Sequence, residues 1–170
     1  MKTNIFLIGF MGTGKSTVSK KLSGMTSMRE VDLDVFVEEK AGMCISRIFE
    51  EKGEKAFRDM ETECLKVVLK QNDCIISCGG GTVIREENVD YMRENGTIVL
   101  LTATPETIYQ RVKDNQNRPI LNGNMNVEYI STLMERRKEF YQKAADVIVE
   151  TDKKTVEEIC NEILEKICKK

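Results

Sequence analysis

Short apolar runs alternate along this chain with longer stretches in which apolar residues return every three or four positions. Ile5-Phe6-Leu7-Ile8, Cys74-Ile75-Ile76-Ser77-Cys78, Thr97-Ile98-Val99-Leu100-Leu101 and Val147-Ile148-Val149 read as buried strands, and a shorter strand candidate ends at Val31. The stretches between them read as helices with recognisable ends. Thr17–Leu22 opens the first, and Val35–Ala41 stops at Gly42. Ser46 is placed to cap a short helix, Arg47–Lys52, that ends at Gly53, and Glu54–Leu69 follows. Glu86–Glu94 stops near Gly96, and Thr104 caps the next helix with Pro105 at its first turn. Val127–Ala144 continues the series, and Thr155 with Glu158 forms a capping box for the last helix. Strands alternating with helices predict an α/β fold of three layers, a five-stranded parallel sheet flanked by helices. At 170 residues the chain is long enough for one cored domain spanning 1–170.

One segment breaks the rhythm. Residues 115–124 (NQNRPILNGN) are rich in Asn and Gly and show no period. A loop of that length inside a compact domain is usually a lid or a disordered insertion, and Arg118 favours a mobile lid over about 112–125. The joint between the first strand and first helix is equally unusual. Gly9-Phe10-Met11-Gly12-Thr13-Gly14-Lys15-Ser16-Thr17 has the spacing of a phosphate-binding loop, in the strand–loop–helix setting such a loop needs. Its glycines let backbone N–H groups turn toward phosphate oxygens, and the helix N-terminus adds partial positive charge. Lys15 is then placed to reach the β- and γ-phosphates, and the Ser16 hydroxyl to ligate Mg²⁺.

Composition narrows the chemistry. There are 26 basic and 28 acidic residues, a net charge of −2, so no global bias toward nucleic acid or an anionic membrane exists. No histidine occurs, which excludes imidazole acid–base catalysis and histidine metal ligands. The six cysteines form no C-x-x-C pair and read as reduced core thiols. No apolar run approaches membrane-spanning length, and the first strand begins near Asn4, which leads to the expectation of a cytoplasmic chain.

In open α/β sheets, ligands sit beyond the carboxyl ends of the strands. Two further groups fall there. Asp32 and Asp34 follow the second strand; one carboxylate can sit near Mg²⁺ while the other faces an acceptor hydroxyl. Gly79-Gly80-Gly81 ends the third strand, and three consecutive glycines suggest close approach of backbone to a ligand. Arg58 lies one helical turn from Glu61 and can pair with it on the helix surface. Arg118 in the loop and Arg136-Arg137 on the next helix supply a mobile and a fixed cation, for phosphate and for an anionic acceptor.

GFMGTGKST, DLDVFVE, ISRIFEEKGEKAFRDME, SCGGG, RPIL and RRKEFY, in this order and spacing, make the chain similar to the shikimate kinase family from end to end. The resemblance implies a P-loop domain of the nucleoside-monophosphate-kinase type. It also implies transfer of the ATP γ-phosphoryl to the 3-hydroxyl of shikimate with Mg²⁺, a step of chorismate and aromatic amino acid biosynthesis. Carried over by motif, it implies that Gly12, Thr13, Gly14, Lys15, Ser16 and Thr17 wrap the nucleotide phosphates, with Ser16 and Asp32 serving the metal. Asp34 would hold the shikimate hydroxyls, and Arg58 and Arg137 its carboxylate, with Gly79, Gly80 and Gly81 lining the same pocket. Arg118 would close over the transferring phosphoryl, and Arg111 would lie near the adenine, with a further contact near Lys153–Thr155. Catalysis would rest on Lys15, Asp34 and Arg118, in a monomer that binds ATP and shikimate and neither nucleic acid nor membrane. The rival readings are a related small-molecule kinase of the gluconate type and a nucleotide-binding regulator that has lost turnover.

Overall fold

The computed structural model describes residues 3–114, 123 and 125–169. Arg118 and most of the expected lid lie outside the described residues. Five strands form one sheet: β1 (Asn4–Ile8), β2 (Arg29–Asp32), β3 (Cys74–Ser77), β4 (Gly96–Thr102) and β5 (Val147–Glu150). Their order is β2-β3-β1-β4-β5, and every pairing is parallel. The connections are α1 (Lys15–Thr26), α2 (Leu33–Ala41), α3 (Ile45–Val68), α4 (Glu86–Asn95), α5 (Pro105–Val112) and α6 (Val127–Ala144), and α7 (Val156–Cys168) closes the chain.

Why the central strands read as unbroken apolar runs follows from the layering. Successive side chains of a strand point to opposite faces, so a strand covered on both sides has no polar face. Phe6 and Ile8 of β1 enter one core with Ile76, Ile98 and Leu100, beneath Leu33, Ile48 and Leu65. Ile5 and Leu7 enter the other with Ile75, Val99 and Leu101, beneath Val18, Leu22 and Ile163. The edge strand β5 is covered on one face only and alternates accordingly, Val147 and Val149 buried, Ile148 and Glu150 exposed. The Lys166 ammonium donates to the Ile148 carbonyl at 2.8 Å.

Three helix starts differ from the sequence reading, each for a local reason. α1 begins at Lys15 because Gly14 (φ 95°) supplies a left-handed cap that the apolar period cannot reveal. α2 begins at Leu33, so Asp34 is already helical: the Asp32 carboxylate caps it, accepting the N–H groups of Asp34 (3.1 Å) and Val35 (3.2 Å). The third helix starts at Ile45 with Cys44, not Ser46, at the cap position; Glu38 on α2 accepts the Ile45 N–H at 2.8 Å instead. The break expected at Gly53 is present, at φ 83° and ψ 169°, but the two helical halves follow one another without a loop. Both capping predictions nearer the C-terminus hold: Thr104 caps α5 and Thr155 with Glu158 forms the capping box of α7.

All six cysteines are free thiols; Cys64, Cys74, Cys78 and Cys160 are buried as core residues, whereas Cys44 and Cys168 are exposed. No helix among the described residues is long and apolar enough to cross a membrane.

Candidate active site

The carboxyl ends of β1, β2 and β3 bring three short segments to one cavity of about 520 Å³. From β1 comes the phosphate loop. Thr13 Oγ1 donates to the Phe10 carbonyl at 2.8 Å, closing the turn on itself. Gly12 sits at φ 78°, and a Cβ there would lie 2.8 Å from Val112 Cγ1, so α5 can pack against the loop only because Gly12 has no side chain. The Lys15 ammonium folds back over the loop to the carbonyls of Gly9 (2.8 Å) and Phe10 (3.1 Å). Gly12 to Thr17 all border the cavity, with the N-terminus of α1 beneath them.

From β2 come the two aspartates, which point to different tasks. Asp32 Oδ2 accepts the Ser16 hydroxyl at 2.8 Å, and Ser77 Oγ lies 3.5 Å from Ser16 Oγ. This is a small cluster of hard oxygen donors beside the phosphate loop, which suits Mg²⁺, a cation that keeps several waters and needs only one or two protein oxygens beside substrate phosphates. Among the described residues no group of three acidic or thiol ligands forms a closed metal cage.

Asp34 turns the other way, toward the glycine triplet of β3. A Cβ on Gly79 would meet Asp34 Oδ1 at 2.7 Å and Glu61 Oε1 at 2.9 Å. A Cβ on Gly81 would strike Arg58 Nη2 at 2.2 Å, and one on Gly80 would approach Arg137 Nη1 at 3.3 Å. The triplet is therefore packed by charged side chains on consecutive residues, and any side chain there would displace them. Arg58 and Glu61 do pair, at 2.8 Å, but not as a surface ion pair: their side chains are 12% and 0% exposed. Thr82 donates to the second Glu61 oxygen at 2.6 Å. Arg137 is half-buried while its neighbour Arg136 is exposed, which separates two arginines that the sequence leaves equivalent. Tyr141, one helical turn further along α6, donates its hydroxyl to the Gly80 carbonyl.

The Asp34 carboxyl is raised from 3.8 to about 6, chiefly by burial and then by the nearby carboxylates of Glu61 and Asp32, with Lys15 and Arg58 acting in opposition. The native state therefore holds this proton more tightly than the unfolded chain does, and stability falls as pH rises from about 4 to about 6. Asp34→Asn is expected to raise the unfolding midpoint at pH 8, by on the order of 2 kcal/mol in stability, and to leave it nearly unchanged at pH 4. Thermal unfolding at the two pH values checks this; an equal gain at both would remove the ionised carboxylate as its cause.

The far end of the cavity is bordered by Arg111, Lys154, Val156 and Ile159. Arg111 donates to the Gly12 carbonyl (3.1 Å) and to Thr151 Oγ1 (3.1 Å). Of the segment Lys153–Thr155, only Lys154 borders the cavity. Of the residues named from sequence, Gly12–Thr17, Asp32, Asp34, Gly80 and Arg111 border the cavity, Arg58 and Arg137 pack on the glycine triplet beside it, and Arg118 lies outside the described residues. Sequence reasoning missed the burial of Glu61, the supports Ser77, Thr82 and Tyr141, and the turn at Thr151.

A parallel sheet in this order, a phosphate loop after its central strand and a cluster of charged side chains packed on the glycine triplet define a P-loop kinase-type domain. Residues 11–168 match the family model of shikimate kinase. A shikimate kinase of Sulfurihydrogenibium sp. is 42% identical over 164 residues, covering 96% of this chain and 97% of that one. The solved shikimate kinase from Acinetobacter baumannii in complex with shikimate superposes with a TM-score of 0.92 at 30% identity, over 98% of this chain and 93% of that one. The chain belongs to the shikimate kinase family. A gluconokinase from Sinorhizobium meliloti shares the fold alone, with a TM-score of 0.61 at 13% identity over 99% of this chain and 93% of that one.

Proposed function

We propose that the chain transfers the γ-phosphoryl of ATP to the 3-hydroxyl of shikimate, giving ADP and shikimate 3-phosphate. The observation that carries the reading is the pair of guanidinium groups, Arg58 and Arg137, set against Gly81 and Gly80 within reach of Asp34. Two planar cations beside a hydroxyl-orienting carboxylate suit a small hydroxylated carboxylate, and a neutral acceptor would leave that arrangement unused.

The chemistry asks for positioning and charge neutralisation. Phosphoryl transfer passes through a loose transition state with charge on the equatorial oxygens. The acceptor oxygen forms the new bond to phosphorus as the bond to the ADP oxygen breaks. Asp34 orients the acceptor hydroxyl and receives its proton late, since a loose transition state needs no early deprotonation. A carboxyl held near 6 accepts such a proton more readily than one at its ordinary value. Lys15, released from the Gly9 and Phe10 carbonyls, moves to the β- and γ-phosphates. Arg118 is assigned to the transferring phosphoryl. Ser16 and Asp32 would hold Mg²⁺, which when bound would offset charge on the phosphates. The same reading places the reaction in the cytoplasm, in a monomer.

The test is ADP release from ATP and Mg²⁺ offered with shikimate, gluconate or nucleoside monophosphates in turn. Release that depends on shikimate alone is expected. Release with gluconate would move the assignment to the sugar-acid kinases, and no acceptor-dependent release would make the chain a nucleotide-binding regulator.

A further inference from the structure

Helix α5 is fastened at both ends to two consecutive residues of the turn after β5. At its N-terminus the Asp152 carboxylate accepts the Thr104 N–H (3.1 Å) and hydroxyl (3.0 Å) and the Thr107 hydroxyl (2.6 Å). At its C-terminus Arg111 donates to Thr151 Oγ1 (3.1 Å) and to the Thr151 carbonyl (3.4 Å). Thr151 is fully buried and committed on both sides, its hydroxyl donating to the Thr102 carbonyl at 2.9 Å. Because that proton points at Thr102, a lone pair of the oxygen is left for Arg111, and the guanidinium has one preferred placement. From there its Nη1 reaches the Gly12 carbonyl at 3.1 Å, across ninety-nine positions of sequence. Val112 on the same turn of α5 packs where a Gly12 Cβ would be.

We infer that Thr151 and Asp152 are positioning residues of the nucleotide site, acting through α5 and Arg111 to hold the phosphate loop in its binding shape. The physical argument is electrostatic. A carbonyl oxygen turned toward a triphosphate repels it, whereas one engaged by a guanidinium is held by a cation and kept from that direction. A loop already in shape loses less freedom when nucleotide arrives, so affinity is gained without a further contact to ligand. Neither Thr151 nor Asp152 borders the cavity, and neither belongs to the phosphate-loop motif. The inference rests on the assignment of this cavity to a nucleotide.

The experiment measures ADP binding by titration calorimetry, independently of turnover. Thr151→Val keeps the shape and removes the hydroxyl; it is expected to raise the ADP dissociation constant about tenfold, the usual effect of losing one hydrogen bond to a charged group. Thr151→Ser keeps the hydroxyl and should bind within about twofold of the parent. Steady-state kinetics should show the ATP KM rising in the valine variant while the shikimate KM stays in place. In an Arg111→Met background the valine substitution should add nothing further, because both act through the same guanidinium. Equal ADP affinity for the valine variant and the parent, equal losses for Val and Ser, or additive losses with Arg111→Met would overturn the inference. If the valine variant does not fold, Asp152→Asn tests the other end of α5: a loss of about threefold supports the clamp and unchanged binding overturns it. A parent chain that binds no ADP would overturn the nucleotide assignment itself, an outcome distinct from all of these.

Discussion

Replacing Lys15 with alanine is expected to lower the rate of phosphoryl transfer by about a thousandfold while the chain stays folded. The Lys15 ammonium donates to two loop carbonyls at 2.8 and 3.1 Å, contacts that stabilise the loop only modestly. What the ammonium supplies is a positive charge that can leave those carbonyls for the phosphates as charge develops there. Binding and catalysis then separate: the loop N–H groups and the α1 N-terminus still hold ADP, so its affinity should fall by about tenfold or less. Single-turnover rates and ADP titration give the two numbers. Turnover retained within a factor of about ten would remove Lys15 from the transfer step.

Arg58→Ala is expected to act twice, on acceptor binding and on stability. On the proposed assignment the first effect is the loss of one of two guanidinium groups for the acceptor carboxylate, which should raise the shikimate KM about a hundredfold with a smaller change in kcat. The second follows from the Glu61 side chain, which is 0% exposed and pairs with Arg58 at 2.8 Å. Without the arginine, Glu61 keeps, among the described residues, the Thr82 hydroxyl at 2.6 Å, and a buried carboxylate left with a neutral partner destabilises the fold by about 3 kcal/mol or more. Adding Glu61→Gln to an Arg58→Met variant removes that stranded charge. Thermal unfolding should recover much of its midpoint while the shikimate KM stays high. Stability and KM recovering together would mean that Arg58 has no contact with the acceptor and serves only to neutralise Glu61.

How far the sequence could anticipate this depended on the range of the interactions. The strands were legible because a sheet covered on both faces leaves no polar positions, and the later helix caps because Thr104 and Thr155 act on their own next turn. The phosphate loop was legible for the same reason: its glycines, Lys15 and Ser16 are local in sequence. The start of α2 was misread because Asp32 does two things at once, capping a helix and meeting Ser16, and the second partner is sixteen residues away. The spacing of Arg58 and Glu61 showed that they can pair. Only the packing of Thr82 and the glycine triplet above them makes that pair buried. Thr151 gave no signal, since its value lies in contacts to Arg111 and Thr102 that the chain reaches from forty or more positions away.

The position of β1 has a consequence for the order in which this protein is made. β1 emerges in synthesis before the other four strands of this sheet, yet its partners on either side begin with Ile5 opposite Ile75 and Asn4 opposite Gly96. The apolar run and the phosphate loop behind it therefore wait unpaired until β3 has been translated, and lack their second neighbour until β4 follows. Cover for α1 comes later still, from α7, where the Cys160 thiol meets the Val18 carbonyl at 3.8 Å. A nascent chain released before α7 would carry the whole phosphate-loop motif yet leave the α7-facing side of α1 uncovered, an apolar surface open to holdase chaperones.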